Sequence, residues 1–244
     1  MCGIAGWLDF ERDLTSEKGI LEEMTRTLVH RGPDAGDTWM SKHIAFGHRR
    51  LVIIDPEGGW QPMMKRVEDR RFVITYNGEI YNMQEVRLKL LSLGYNFTTR
   101  SDTELILTAY IAWGRSCVDH LNGIFAFAIW DESQEKLFIA RDRIGVKPLF
   151  FAQLGSSFLF GSELKALLAH PHLDAEVDDE GLSEILLMGP ARTPGVGVFK
   201  NVHELKPGHM CQVDRDGLKV TPYWELESTH HNDDFETTTE KVRY

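Results

Sequence analysis

The sequence predicts an α+β fold in which antiparallel sheets pack face to face and helices cover their outer sides. Three observations lead there. Strand-like runs are joined by short polar turns, which imposes antiparallel pairing; "GIFAFAIWD" (123–131) and "KLFIARD" (136–142) flank only Glu132 to Glu135. Ile124 to Trp130 is apolar at both alternating positions, whereas a sheet with one wet face shows polar residues at every second place. Amphipathic helical segments separate strands along the chain.

Residues 3–9 (GIAGWLD) read as a short buried strand. A helix is expected from Ser16 to His30, where Ile20, Leu21, Met24, Thr27 and Leu28 recur at helical spacing. Gly and Pro in "HRGPD" (30–34) break it. Two strands follow near 36–41 and 44–50, then a Pro/Gly-containing loop at 55–62 and a strand at 71–76 (RFVITY). Asn82 with Glu85 marks a helix start, with Val86, Leu90 and Leu93 as the apolar stripe and Gly94 as the end. Ser101 with Glu104 repeats the signal, and Leu105, Ile106, Ala109, Tyr110 and Trp113 form one face. "PLFFAQ" and "SFLFGSE" form a hairpin around a Gly/Ser turn at 155–156. A helix near 178–188 precedes a Gly/Pro-rich loop at 189–197, and a last strand pair is expected near 209–224. From Glu227 to Glu240 the chain is polar and reads as a linker. There are no internal repeats.

The 244 residues suffice for one large domain or two small ones. With 42% hydrophobic and 26% charged residues the composition is that of a globular protein. A net charge of −10 argues against a nucleic-acid or anionic-membrane surface. The three cysteines, Cys2, Cys117 and Cys211, are odd in number, widely spaced and without C-x-x-C, which argues against a disulfide framework or structural zinc site and fits a reducing cytoplasm. No signal peptide opens the chain, and no apolar run of about 18 residues exists to span a membrane.

Cys2 directly follows Met1. Either a small apolar residue starts a buried strand, or removal of Met1 exposes a thiol with its own α-amine. The second arrangement is chemically apt. A thiol pKa is about 8.5 and an α-amine pKa about 7.7–8.0, so the amine can take the thiol proton near neutrality. In "YNGEIYN" (76–82), Asn-Gly after a strand is ordinarily a hairpin turn, but a helix follows here. Asn77 and the Gly78 N–H are then suitable oxyanion donors. Of the adjacent Arg49 and Arg50, one can clamp a carboxylate; otherwise both are solvated or ion-paired. Asp102 sits in the first turn of a helix, where dipole complementarity alone would explain it. "RDRIGVKPLF" (141–150) reads as a structural turn between strands. His230 and His231 beside Asp233 and Asp234 lack a second pair at ligand spacing, so no metal site is expected.

Together MCGIAG, HRGPD, RRLVIID, NGEIYN, SDTE and RDRIGVKPLF, with "TPGVGVFKNVHELKPGH" and "YWEL" further on, resemble the N-terminal glutaminase domain of glutamine-hydrolysing asparagine synthetases. These are class II glutamine amidotransferases among the N-terminal-nucleophile hydrolases. NGEIYN with RDRIGVKPLF favours this branch over the amidophosphoribosyltransferase and glucosamine-phosphate-synthase branches. The resemblance covers about residues 1–226. It implies a four-layer αββα sandwich over residues 2–226, with 227–244 a linker or the start of a synthetase domain. It implies Cys2 as nucleophile, Asn77 and Gly78 as oxyanion hole, Arg50 on the glutamine α-carboxylate, and Asp102 with Glu79 at the α-ammonium. L-glutamine is the implied substrate. A synthetase domain or partner chain would accept ammonia; the S-G-G-x-D-S loop and its ATP and Mg belong to that half, and no cofactor is expected in this chain. A different acceptor, or a non-catalytic docking role, are the alternatives. A cytoplasmic location and a homodimer are further expectations of the resemblance.

Overall fold

A computed structural model of the protein describes residues 1–189 and 191–243. Pro190, in the expected 189–197 loop, and Tyr244, ending the expected linker, lie outside the described residues. The first half contains β1 (Gly3–Asp9), α1 (Lys18–Arg26), β2 (Ala35–Met40), β3 (Ile44–Arg50), β4 (Met63–Val67), β5 (Arg70–Ile80), α2 (Met83–Ser92), α3 (Asp102–Trp113) and α4 (Cys117–His120). The second contains β6 (Gly123–Asp131), β7 (Lys136–Arg141), β8 (Phe150–Leu154), β9 (Ser157–Gly161), α5 (Leu164–Leu168), α6 (Asp179–Met188), β10 (Val202–Glu204), β11 (His209–Asp214), β12 (Gly217–Pro222) and α7 (Phe235–Arg243).

Among the described residues the strands form two six-stranded sheets, ordered β10-β8-β9-β1-β3-β2 and β12-β11-β7-β6-β5-β4. Each adjacent pair is antiparallel. Three buried layers separate four structural ones. Between the sheets lie Ile4, Phe46, Val73, Ala128, Trp130 and Phe160. The outer side of the first sheet packs Trp7 and Leu159 on Leu21, Met24 and Leu167 of α1 and α5. The outer side of the second packs Ile74, Phe127 and Phe138 on Val86, Leu105 and Tyr110 of α2 and α3. Each such buried side chain contributes about 1.5–3 kcal/mol. The doubly apolar pattern of β6 therefore has its predicted cause: one face meets the other sheet, the other meets helices. This is the expected αββα sandwich.

The inter-sheet layer changes character toward one end. Alternate residues of a strand share a face, so the inward stripes run Ile4 to Cys2, Phe46 to His48 to Arg50, and Val73 to Thr75 to Asn77. Apolar packing thus gives way, two pleats on, to polar groups. At the crossover His48 Nδ1 meets Thr75 Oγ1 at 3.2 Å, joining the two sheets. Burial drives the His48 pKa down to about 3, so the imidazole is neutral in this contact.

Several elements differ from expectation. The first helix is shorter than 16–30; Asp13 caps a separate 3₁₀ turn at Leu14–Ser16, accepting from the Thr15 N–H. Strand β5 runs on past Tyr76 to Ile80 and pairs with β6 throughout, so Asn77–Gly78 is strand, not turn. Asn82 precedes α2 but makes no side-chain cap; it bridges to the His120 carbonyl and the Asn122 N–H instead. Leu93 is exposed rather than part of that helix's stripe. Helix α3 is buried almost all round, Thr103, Leu107 and Thr108 included. The polar tail carries α7, none of whose residues is buried. Strands β4 and β10 and helices α4 and α5 had no separate signal.

Candidate active site

A cleft of about 90 Å³, open to solvent, lies where the polar end of the inter-sheet layer emerges. Its lining brings together Cys2, Arg50, Asn77, Gly78, Glu79 and Asp102, with Tyr76, Ser101 and Lys147 beside them. All six residues singled out in the sequence share this cleft.

Cys2 enters from the start of β1. Its Sγ accepts from the Leu51 N–H at 3.4 Å and donates toward the Leu51 carbonyl at 3.6 Å. Burial pushes the thiol pKa up, against the smaller opposing pull of the Leu51 contact and the Arg50 charge. Arg31 Nε donates to the Cys2 carbonyl at 2.9 Å, and Arg31 is held in turn by Glu163 at 2.8 Å. With Met1 attached, the Cys2 nitrogen is an amide, and Met1 itself lines the cleft.

Asn77 is 2% exposed, and its Nδ2 has no hydrogen-bond partner. A buried donor left unpaired costs about 1–3 kcal/mol, so an orphan amide facing a cleft marks a place for an acceptor. Gly78 opposes Phe125 in the β5–β6 ladder. The backbone of Phe125 is engaged by Asp142 on its other side, so this pair is a non-hydrogen-bonded one. The Gly78 N–H therefore points away from β6, on the same side as the Tyr76 N–H, which donates to Gln61 Oε1 at 2.6 Å. Only glycine fits here: a Cβ would stand 2.2 Å from the Ile124 carbonyl oxygen.

Arg50 is 5% exposed and half-saturated. Its two terminal nitrogens donate to the Pro56 carbonyl at 2.9 Å and the Asp55 carbonyl at 2.7 Å, and Trp60 stands 5.5 Å from the guanidinium. Arg49 turns the other way, donating to the Gly32 carbonyl at 3.0 Å. Asp55 also ties this loop to the far wall, accepting from the Gly58 N–H at 2.9 Å and the Arg100 N–H at 2.8 Å. Those bonds hold its carboxyl below the ordinary aspartate value.

Asp102 opens α3, capped by Ser101 Oγ, which accepts from the Glu104 N–H. The reciprocal half of the capping box is absent, because Glu104 reaches back to the Thr98 and Thr99 N–H groups and to Lys65. Burial raises the Asp102 carboxyl above its ordinary value, although Tyr76 Oη donates to it at 2.7 Å. Glu79 lines the cleft, half-buried. The arrangement offers a thiol, an orphan amide and a free backbone N–H at its centre, with a cation on one wall and a carboxyl on the other.

A profile of the glutamine amidotransferase domain matches residues 1–224. The chain belongs to the glutamine amidotransferase family. It is 52% identical over 243 residues to asparagine synthetase [glutamine-hydrolyzing] 3 of Bacillus subtilis strain 168, covering 100% of this chain and 40% of that relative. Asparagine synthetase [glutamine-hydrolyzing] 2 of the same organism is 36% identical over 235 residues, covering 93% and 31%. The chain thus spans less than half the length of these relatives. Among solved structures, glutamine phosphoribosylpyrophosphate amidotransferase from B. subtilis superposes with a TM-score of 0.65 at 19% identity, covering 92% of this chain and 50% of that one. A structure described as the allosteric regulatory enzyme of purine biosynthesis gives 0.67 at 20% identity, with the same coverage. These two share the fold.

Residue reading missed Lys147, Tyr76 and Arg31. Lys147 lay inside RDRIGVKPLF, taken as a turn. The turn is built, but what it builds is a buried lysine in the cleft. Tyr76 directly precedes Asn77, and only the position of α3 shows that its hydroxyl supports Asp102.

Proposed function

We propose that the cleft hydrolyses L-glutamine, with Cys2 as the nucleophile once Met1 is removed. The observation that carries this reading is the orphan Nδ2 of Asn77 beside the outward Gly78 N–H, in the same cleft as the Cys2 thiol. Arg50 receives the α-carboxylate; Asp102, with Glu79 nearby, receives the α-ammonium. The freed α-amine takes the thiol proton, and sulfur attacks the side-chain amide carbon. Asn77 and Gly78 stabilise the oxyanion. The C–N bond breaks as the protonated Cys2 amine returns its proton to the departing nitrogen, giving ammonia and a γ-glutamyl thioester. Water, giving its proton to the amine, cleaves the thioester to glutamate and regenerates the thiol.

The glutaminase unit occupies 2–226, and the names of the relatives support delivery of ammonia to asparagine synthesis in a further domain or partner chain. No cofactor is needed for the hydrolytic half. Three unpaired cysteines suit a cytoplasmic location. The test is glutamate release by protein whose mass shows Met1 removed. Cys2→Ala abolishes it, and Asn77→Ala lowers kcat by about 10²–10³. No glutamate from Met1-free protein would sink this reading and leave a docking module.

A further inference from the structure

We propose that Lys147 tunes the proton-accepting amine of Cys2, its buried ammonium standing beside the α-amino group that removal of Met1 creates and keeping that group neutral near pH 7. The inference rests on the reading of Cys2 as an N-terminal nucleophile.

Lys147 is 5% exposed and lines the cleft with Met1 and Cys2. Its Nζ donates to Met1 Sδ at 3.1 Å. That thioether, a weak acceptor, is its one hydrogen-bond partner among the described residues. The path from Sδ to the Cys2 nitrogen runs through Cγ, Cβ, Cα and the Met1 carbonyl carbon, and both residues line the same cleft. Removing Met1 takes away the partner of Nζ and leaves a new amine in the same cleft.

The position of Lys147 is built, not incidental. Its N–H donates to Asp142 Oδ2 at 3.0 Å, and the Val146 N–H donates to Asp142 Oδ1 at 2.9 Å. Its carbonyl accepts from Arg141 Nε at 2.7 Å, while the same guanidinium donates to the Gly145 carbonyl at 2.9 Å. Asp142 and Arg141 are themselves buried. Gly145 turns with φ 69°, a left-handed conformation that glycine adopts at little cost.

The charged groups facing Nζ are Glu79, Arg31, Asp142 and the Cys2 thiol. The Asp142 carboxylate is spent on the Val146, Lys147 and Phe125 N–H groups. Arg31, bonded to the Cys2 carbonyl, adds a second cation of the same effect. Glu79 opposes Lys147 without reaching it; no carboxylate of the described residues lies within 4.0 Å of Nζ. A cation beside an amine disfavours its protonation, and beside a thiol favours the thiolate. The first keeps the amine free to accept a proton near neutrality, and the second makes the thiol readier to release one. Lys147 acts through that amine and is a positioning residue.

The experiment compares Met1-free wild type, Lys147→Met and Lys147→Arg in kcat/KM for glutamine hydrolysis across pH, and in alkylation of Cys2 by iodoacetamide. Alkylation needs no turnover, and buried Cys117 and Cys211 do not compete. Lys147→Met is expected to move the acid limb of kcat/KM up by about one pH unit, about tenfold slower on the acid side and close to wild type near pH ~9. The alkylation limb moves the same way, and Lys147→Arg keeps both limbs in place. A limb unmoved in Lys147→Met, with rates cut equally at all pH, overturns the proposal; so does an Arg variant that behaves like Met. If wild type releases no glutamate, the glutaminase reading fails, and the alkylation limbs still decide for or against Lys147.

Discussion

Burial makes Asp102 reluctant to ionise, and the Tyr76 hydroxyl at 2.7 Å is the hydrogen bond that opposes this. The sign of the consequence is fixed. A carboxylate pairs with an ammonium and a carboxylic acid does not, so on the proposed role glutamine binding weakens as pH falls through a pKa raised above the ordinary aspartate value. Tyr76→Phe removes the stabilising donor and raises that pKa further. KM for glutamine should climb a few-fold at mildly acidic pH and less at pH ~8, with kcat little changed; a KM change equal at all pH would contradict this. Cys2 and Asn77 stood out on the chemistry of their own short motifs, whereas Arg50 over Arg49, and Asp102 as more than a helix-start acid, were singled out only by the family resemblance; all four line one cleft. Tyr76, Lys147 and Arg31 did not stand out, because their partners are distant in the chain: Tyr76 reaches α3, Lys147 reaches Met1, and Arg31 links Cys2 to Glu163.

At the scale of elements, the cap of α3 is where structure and binding meet. Ser101 is buried, and its Oγ both caps the helix and meets Thr99 Oγ1 at 2.9 Å. Ser101→Ala should cost about 1 kcal/mol of stability and raise KM, since Asp102 is the first residue of the turn it secures. Thermal melting and glutaminase kinetics on one variant check both. Strands with strong alternation or double burial were readable, and so was this helix. The end of β5 was not, because Asn-Gly has the same local preference in a turn as at a close backbone approach. What decides it is Ile124, across the ladder. Asn82 likewise looked like a cap, but the nearby His120–Asn122 segment captures its side chain. Helix α7 has too few apolar residues to advertise itself, and it buries none.

For the whole molecule, that last fact sets a boundary. Tyr223 still belongs to the sandwich through its hydroxyl, which donates to the Arg141 carbonyl at 2.7 Å. Beyond Leu226 the described residues contribute no buried side chain. A chain ending at Leu226 should melt within about 1 °C of the full one and keep its glutaminase rate; a drop of several degrees would show that the tail supports the core. The layered architecture was legible because β6 is apolar on both faces, a pattern with few physical solutions. Which end of the layer would open into a cleft was not legible, since it depends on register between strands far apart in sequence.

The His48–Thr75 contact between the sheets bears on the chemistry in another way. Cys2 and Asn77, the proposed nucleophile and oxyanion donor, ride on different sheets, with no shared ladder between them. They are the jaws of a caliper, and the gap is set by side chains filling the layer behind. Swelling of that layer, by heat or by a cavity far from the cleft, is expected to open the jaws before any strand unzips. Loss of glutamate release on warming is therefore expected before loss of the far-UV signal of the sheets.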